Sequence, residues 1–356
     1  MEEKMEERIY ELITYGLKRG LIREEDLFYR INVLAEGLGV KELKKSYAEY
    51  AGRVKGEVRP VHEILGDICE EAAERGMIDI DSVTERDLFD TRVMGLITPP
   101  PGEVIDSFRI RYDQSPKEAT DFYYGFSQNT NYIRRERIAK DEKWMTDTSY
   151  GSIEISINLS KPEKDPKAIA AAGAAARSGY PACLLCRENE GYAGHMTHPA
   201  RQNHRLIPMT LGGEKYYLQY SPYVYYNEHC IVLNDRHIPM KIDRAVFTKL
   251  FDFIDLFPHY MVGSNADLPI VGGSILRHDH FQGGRHVFPM AKAAVREAFS
   301  LTGYPDIAAG IVSWPLSVIR LRGKDRTAIE DASDEILLKW RAYSDTAAGI
   351  YAKSVN

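Results

Sequence analysis

The chain has few cysteines, and it lacks long apolar runs. Its 356 residues include four cysteines, too few for the disulfide framework of a small secreted protein. No apolar segment approaches the roughly 20 residues that a helix needs to cross a bilayer. The N-terminus is acidic and has no apolar core of a signal peptide. We therefore expect a cytoplasmic protein that does not act at a membrane.

An excess of basic residues is also missing. The formal net charge is −6, whereas bulk nucleic-acid binding favours a basic surface, so we expect no nucleic-acid partner. A local cationic cluster on such a chain can still bind a small anion. The hydrophobic content of 44% and the charged content of 28% are typical of a soluble globular protein.

Hydrophobic periodicity predicts two regions. Apolar residues recur at helical spacing through residues 1–95, and the sequence TPPPG at 98–102 then interrupts the pattern. We therefore predict an N-terminal helical subdomain, 1–100, followed by a second domain, 101–356.

The second region mixes strands and helices. Further strands are predicted at 152–159, 216–220, 223–226 and 229–233, with an extension of the histidine-bearing strand over 284–290. Helices are predicted at 168–176, 245–257, 291–300 and 326–353. These elements indicate an α+β fold, in which a mostly antiparallel sheet is flanked by helices.

The most informative segment is residues 272–284, GGSILRHDHFQGG. In an extended segment His278, His280 and Gln282 face the same side and form one polar row. A neutral imidazole is both a nucleophile and a metal ligand, and a glutamine amide can donate to an anionic oxygen. Flanking glycines let a backbone approach a phosphate closely. The pattern predicts phosphoryl or nucleotidyl chemistry; the alternative is a surface strand that carries two histidines.

Within this row we assign His280 as the nucleophile. Its attack on an α-phosphate would form a phosphoramidate and split one transfer into two steps. Gln282 would then stabilise the phosphoryl oxygens or orient the ring.

Two cysteines, Cys183 and Cys186, have the C-x-x-C spacing, which in a reducing cytosol indicates metal or redox chemistry. Structural zinc takes four ligands, and Cys2His2 is a common set. His278 is one candidate for the remaining positions. The other is His237, which lies between a predicted strand and helix, or His229; the spacing leaves both open.

Polar loops supply candidates for substrate binding. Arg201, Asn203 and Arg205 lie in a non-periodic basic segment, and guanidinium groups bind phosphate bidentately. Asn265 lies in a turn that is suited to a phosphate or a sugar hydroxyl, and Arg134 could grip a sugar phosphate. For each of these the alternative is an ordinary solvated loop. The same region also contains lesser metal candidates: His195, His198 and His204.

Four segments carry a resemblance to a known family: PACLLCRENEGYAG (181–194), HPARQNHR (198–205), QYSPYVYYNEHC (219–230), and 262–284, which runs from VGSNADLPIVGGS to HDHFQGG. Together they resemble the class II galactose-1-phosphate uridylyltransferases, a branch of the histidine triad superfamily. The resemblance implies a histidine triad-like second domain. It extends from the N-terminal helices to the last residues.

The resemblance implies a ping-pong exchange in galactose (Leloir) metabolism. UDP-glucose would donate its uridylyl group to His280, and galactose 1-phosphate would take it up as UDP-galactose. Gln282 matches the glutamine partner of the nucleophile, while Asn265 and Ser274 fall in the nucleotide-binding segment. The implied metal, zinc with iron as the alternative, would be held by four residues. These are Cys183, Cys186, His237 and His278.

The chain departs from the family pattern at two places. Asp279 stands between the histidines where class I enzymes have proline, as expected for class II. Class II chains usually continue past the position of Asn356, so we expect a C-terminal segment usual in the family to be absent. One alternative is a nucleotide hydrolase or another nucleotidyltransferase, which the same nucleophile would serve. The other, if that segment is absent, is a non-catalytic zinc-stabilised nucleotide-binding protein. A homodimer is the candidate assembly.

Overall fold

The computed structural model describes residues 2–53, 56–159, 179–267 and 275–352. Helices dominate the part of the chain before residue 139, and antiparallel strands dominate the part that follows. The predicted α+β class with an N-terminal helical region is therefore confirmed.

The N-terminal helices form because apolar residues recur on one side of each. α1 buries Met5, Ile9 and Leu12, and α5 and α7 begin at serines whose side chains accept a backbone N–H. The helices are α1 (Glu2–Lys18), α2 (Leu27–Gly37), α3 (Tyr47–Arg53), α4 (Val61–Glu74), α5 (Val83–Ile97), α6 (Pro101–Tyr112), α7 (Pro116–Asn129) and α8 (Arg135–Ile138).

In the part of the chain that the structure describes, the strands form three antiparallel sheets. The first is a hairpin of β1 (Glu142–Thr148) and β2 (Gly151–Ile157). A five-stranded sheet has the order β3-β4-β5-β7-β6, and its strands are β3 (Ile207–Leu211), β4 (Glu214–Tyr220), β5 (Cys230–Asn234), β6 (Met261–Ser264) and β7 (His280–Gly284). A three-stranded sheet has the order β10-β9-β8, and its strands are β8 (Val295–Phe299), β9 (Ala308–Val312) and β10 (Ile319–Arg322).

Among the described residues, three more helices accompany these strands. They are α9 (Arg244–Leu256), α10 (Pro289–Lys292) and α11 (Arg326–Ala342). α9 lies against β3, β6 and α11, and its apolar side faces the five-stranded sheet. In the described part of the chain, no helix combines the length and apolarity that crossing a bilayer requires.

The two faces of the five-stranded sheet have different roles. Side chains alternate along β7, so Phe281 points into the large core while His280 and Gln282 point to the opposite face. The core continues from the N-terminal helices to the sheet without a break at residue 100, and the division into 1–100 and 101–356 stays a prediction. On the opposite face a small apolar cluster attaches the C-x-x-C loop; it includes Leu185, Leu206, Tyr217 and Leu233.

Several predictions of secondary structure were wrong. The segment 223–226 is a turn and not a strand, because Val224 and Glu228 adopt positive φ angles of 42° and 53° that interrupt extended pairing. The strand that bears His280 ends at Gly284 and does not continue to 290.

The C-terminal predictions also needed correction. Residues 295–299, predicted as helix, form β8, because pairing with β9 overrides the local helical pattern. The last helix ends at Ala342, well before residue 353, and the predicted helix at 168–176 lies outside the described residues.

The core beneath the sheet offers a test of this architecture. Phe253 of α9 is fully buried, and its ring lies 5.2 Å from that of Phe257. Phe253→Ala should lower the free energy of unfolding by about 3–5 kcal/mol, because it leaves a cavity in a packed core. Ile254→Ala, at the adjacent and 36% exposed position, is the matched control. Urea denaturation measures both, and equal losses would contradict the proposed packing.

Candidate functional site

The candidate site lies on the face of the five-stranded sheet that points away from the large core. β7 places His280 and Gln282 there, between neighbouring strands β5 and β6. His278 precedes the strand and is 1% exposed, while His280 is 3% exposed. His280 and Gln282 of the expected polar row therefore share one face of β7, a strand that is paired on both sides, and His278 directly precedes it.

The His280 ring is held in one tautomer. Its Nδ1 lies 2.7 Å from the backbone carbonyl oxygen of His278. A carbonyl only accepts, so Nδ1 carries the hydrogen and Nε2 keeps its lone pair. Burial lowers the pKa of His280, which keeps the imidazole neutral. The site thus presents an unprotonated Nε2, the form a nucleophile requires.

Two amides adjoin this nitrogen. Asn265 Nδ2 lies 3.3 Å from His280 Nε2, and Gln282 Nε2 donates to Asn265 Oδ1 at 2.9 Å. His229 Nε2 lies 3.0 Å from Gln282 Oε1. The structure therefore brings together three of the predicted site residues, and it adds His229 in a position that the sequence did not indicate.

The second feature of the site is a cluster of two cysteines and two histidines. Ligand atoms of Cys183, Cys186, His237 and His278 all lie within 4.8 Å of one another. Sγ–Sγ is 3.6 Å, Cys183 Sγ to His278 Nδ1 is 3.3 Å, and Cys186 Sγ to His237 Nδ1 is 3.0 Å. Tetrahedral coordination at ordinary zinc distances separates ligands by about 3.3–3.8 Å. The donor set and its spacing therefore fit a four-coordinate metal ion.

Outer contacts orient these ligands. His278 Nε2 donates to the backbone oxygen of Asn234 at 2.8 Å, which leaves Nδ1 free to bind a metal. Asn189 Nδ2 donates to the backbone oxygens of Cys183 and Cys186, at 2.8 and 2.7 Å, and closes the loop. Burial raises the pKa of the Cys186 thiol to about 12, so a cation is needed to stabilise its thiolate.

Asp279, between the two histidines, points to the other face. Its carboxylate accepts from the Tyr216 hydroxyl and from Asn234 Nδ2. Its backbone N–H donates to Ile238 O at 2.7 Å, and its carbonyl accepts from Asn234 N at 2.9 Å. Asp279 therefore anchors the segment that connects the metal cluster to His280.

Comparisons with known families settle the class of protein. The model of the galactose-1-phosphate uridyl transferase N-terminal domain matches residues 46–239, and that of the C-terminal domain matches 253–352. The chain belongs to the galactose-1-phosphate uridyl transferase family. The resemblance found in the sequence motifs is confirmed, and so is the enzyme class, a nucleotidyltransferase.

Curated members of the galactose-1-phosphate uridyl transferase family align with nearly the whole chain. The galactose-1-phosphate uridylyltransferase of Butyrivibrio fibrisolvens is 53% identical over 98% of this chain and 88% of its own length. Those of Halalkalibacterium halodurans and Bacillus subtilis are 51% and 48% identical, each over 97% of this chain and 67% of their own lengths. No solved structure matches the chain.

The basic segment around Arg201, Asn203 and Arg205, predicted to bind substrate, contains one residue with few contacts and two that bond to the surrounding backbone. Arg201 is half-buried, lies over the Tyr132 ring at 5.5 Å and donates only to its neighbour's carbonyl at 3.0 Å among the contacts of the described chain. Asn203, 3% exposed, donates to Thr130 O at 2.8 Å. Arg205 donates to the backbone carbonyls of Pro99, Gln202 and His204. These contacts favour a structural role for Asn203 and Arg205, and their binding of substrate stays a prediction.

The remaining candidates lie apart from the polar row or outside the described residues. Arg134 makes a bidentate pair with Asp90, at 2.5 and 2.6 Å, which favours a structural role. Ser274 lies outside the described residues. His198 bonds to Asn189 at 2.6 Å, and His204 bonds to Gln219 at 3.0 Å. Neither these histidines nor His195 belongs to the cysteine cluster.

Sequence reasoning missed the residues that orient others. Asn189 closes the C-x-x-C loop, and its only signal in the sequence is a position three residues after Cys186. His229 was considered solely as a metal ligand. Its position directly before β5, the neighbour of β7, would have indicated contact with Gln282 once the strand order was known.

The identity of the fourth metal ligand can be tested directly. His237→Ala should lower the metal content per chain, because His237 Nδ1 lies beside Cys186 Sγ. His229→Ala should retain the metal, since its Nε2 faces Gln282. Elemental analysis by plasma mass spectrometry after dialysis against a weak chelator measures both variants. Full retention by the His237 variant, or equal loss in both, would contradict the assignment.

The role of Arg134 can be separated from substrate binding. Arg134→Met should lower the free energy of unfolding by about 3–5 kcal/mol, because it leaves the Asp90 carboxylate unpaired and largely buried. Arg109→Met is the control, since the Arg109 side chain is 67% exposed. A variant of unchanged stability with a raised KM for the hexose phosphate would instead support the substrate contact.

Proposed function

We propose that this chain transfers a uridylyl group from UDP-glucose to galactose 1-phosphate through a covalent intermediate on His280. The observation that carries the proposal is the 2.7 Å contact between His280 Nδ1 and the His278 carbonyl, which leaves a lone pair on Nε2. The names of the relatives support galactose 1-phosphate as a substrate and uridylyl as the transferred group, and the resemblance found in the sequence implies UDP-glucose as the donor. The reaction belongs to galactose metabolism.

In the first step the His280 Nε2 lone pair attacks the α-phosphorus of UDP-glucose. A P–N bond forms, and the bond from that phosphorus to the bridging oxygen breaks. Glucose 1-phosphate leaves with the electron pair, and the uridylyl group stays on the imidazole, which retains the hydrogen on Nδ1. The His278 carbonyl stabilises the positive charge that develops on the ring, because it already accepts that hydrogen.

In the second step a phosphate oxygen of galactose 1-phosphate attacks the same phosphorus. The P–N bond breaks, UDP-galactose leaves, and Nε2 regains its lone pair. Two partial reactions of the same kind allow one site to serve both sugars.

The amides beside Nε2 are suited to the charge on the transferring group. Asn265 Nδ2 lies 3.3 Å from Nε2 in the resting site, so the same N–H can turn to a phosphoryl oxygen when Nε2 bonds to phosphorus. Gln282 bonds to Asn265 and not to the His280 ring, which favours a role on the phosphoryl group over ring orientation. Arg201 is the proposed phosphate contact of the basic loop.

We propose zinc as the metal of the cysteine cluster. Two thiolates and two imidazoles make a closed four-ligand set, which is typical of structural zinc. When bound, zinc would join the 183–186 loop to His278, just before β7, through coordinate bonds. His278 would thereby hold its own carbonyl oxygen in place for His280. The cytoplasmic location and the homodimer stay predictions.

The covalent intermediate provides the test. Incubation with UDP-glucose should add one uridylyl group to the intact chain, as measured by mass spectrometry under denaturing conditions. His280→Ala should abolish the adduct, because it removes Nε2, the atom that would bond to phosphorus. His62→Ala, at an exposed position on α4, is the control and should react like the unmodified chain.

Two outcomes would contradict the proposal. One is no adduct on the unmodified chain, and the other is an adduct that survives His280→Ala. Release of UMP at the same rate with and without galactose 1-phosphate would instead indicate a nucleotide hydrolase.

A further inference from the structure

Four polar side chains form a continuous hydrogen-bonded row that begins at the nucleophile. Asn265 Nδ2 lies 3.3 Å from His280 Nε2, Gln282 Nε2 lies 2.9 Å from Asn265 Oδ1, and His229 Nε2 lies 3.0 Å from Gln282 Oε1. The row crosses from β7 to the segment after β6 and to the start of β5.

The direction of every hydrogen bond in this row follows from one fixed acceptor. The His278 carbonyl requires the hydrogen on His280 Nδ1, so Nε2 must accept from the Asn265 amide. Asn265 then offers its oxygen to Gln282, which must donate its own amide hydrogen. The Gln282 oxygen is left facing His229, and that contact is satisfied only if His229 Nε2 donates.

We infer that His229 is a positioning residue, which fixes the amide orientation of Gln282 and, through Gln282 and Asn265, directs an N–H toward the reacting nitrogen of His280. The inference rests on the proposed uridylyl transfer. It assigns to His229 a role different from the metal binding considered for it in the sequence.

The surroundings of His229 suit this role. The residue is 2% exposed, and its ring lies 5.3 Å from that of Tyr225 and 4.6 Å from that of Tyr226. Its Nδ1 is buried without a hydrogen-bond partner among the described residues. Burial lowers the pKa of His229 to about 4, so the neutral ring carries a single hydrogen. That hydrogen is stabilised on Nε2, where an acceptor lies, and not on Nδ1.

Loss of this donor would leave the direction of the row fixed at the His280 end alone, and a reversed row would become accessible. A glutamine amide can rotate by half a turn at little cost in shape, because its oxygen and nitrogen have similar size. The reversed Gln282 would present its oxygen to Asn265, and Asn265 would then turn its own oxygen toward His280 Nε2. Two acceptors would face each other, and the N–H proposed for the phosphoryl oxygens would be absent.

The test compares two substitutions at position 229. His229→Phe keeps a ring between the tyrosines but has no N–H, whereas His229→Gln keeps an amide donor near the position of Nε2. We expect His229→Phe to slow uridylylation of His280 by about 10–100-fold, a typical effect of removing an orienting partner. His229→Gln should recover most of that rate. Rapid-quench single turnovers with UDP-glucose give the rate constant of uridylylation. The concentration of UDP-glucose that gives half of the maximal rate should be nearly unchanged in both variants.

A matched control separates orientation from simple loss of a buried contact. His204 is also 2% exposed and its Nε2 lies 3.0 Å from Gln219 Oε1, but it does not belong to the row. His204→Phe should therefore affect thermal unfolding to a similar degree and leave the uridylylation rate unchanged. An equal loss of rate in both phenylalanine variants would overturn the inference.

A double-mutant cycle tests whether His229 acts through Gln282. In a Gln282→Ala background, His229→Phe should have little further effect on the rate, because the group it orients is gone. Independent, multiplicative losses would overturn the inference. If the unmodified chain forms no adduct, both the proposed function and this inference are wrong. Normal adduct formation that is unaffected by His229→Phe would overturn the inference alone.

A measurement on the unmodified chain covers the case in which the variants do not fold. The 15N spectrum of the His229 imidazole should show a protonated Nε2 and an unprotonated Nδ1 at neutral pH. Hydrogen on Nδ1 instead would contradict the direction of the row.

Discussion

The hydrogen bond between His280 Nδ1 and the His278 carbonyl is the contact on which the candidate site depends. It joins two residues that are only two positions apart, so it requires little chain closure. Its effect is nevertheless large, because it decides which imidazole nitrogen keeps a lone pair. The orientation of both neighbouring amides follows from that decision, and so does the position at which a phosphorus atom would be attacked.

The surrounding structure serves to hold that carbonyl still. His278 belongs to the cysteine cluster through Nδ1 and to the Asn234 backbone through Nε2. Asp279 adds two backbone hydrogen bonds and a buried contact with Tyr216. The segment is thus fixed from the loop side, from β5 and from the core side, which is the kind of support that an exact site geometry requires.

The sequence predicted the parts of the site that depend on local geometry. Alternation along an extended segment was enough to place His280 and Gln282 on one face, and the C-x-x-C spacing was enough to indicate a cluster that could hold a metal. Contacts between distant segments were not accessible in this way. Arg134 pairs with Asp90, 44 positions away, and a basic side chain that neutralises a buried carboxylate looks in sequence like one that binds phosphate.

The glycines of the histidine run show the same limit. They were interpreted as room for a phosphate, but a Cβ at Gly283 would lie 2.7 Å from Met261 O, and one at Gly284 would lie 2.8 Å from Glu228 O. At these two positions close approach of neighbouring backbone is a sufficient reason for glycine. The prediction of a helix at 291–300 was wrong for a related reason. Residues 295–299 pair with β9, and the local sequence pattern contains no information about that partner strand.

The alternation of β7 also makes the site sensitive to strand register. His280 and Phe281 are consecutive, and they serve the reactive face and the core respectively. A slip of one residue against β5 would bury an imidazole in the core and place a phenyl ring on the face that carries Gln282 and Asn265. The cysteine–histidine cluster lies just before this strand. With His278 held there, the chain would enter the sheet in one register, so correct strand pairing would also place His280, the proposed nucleophile, on the face of the site.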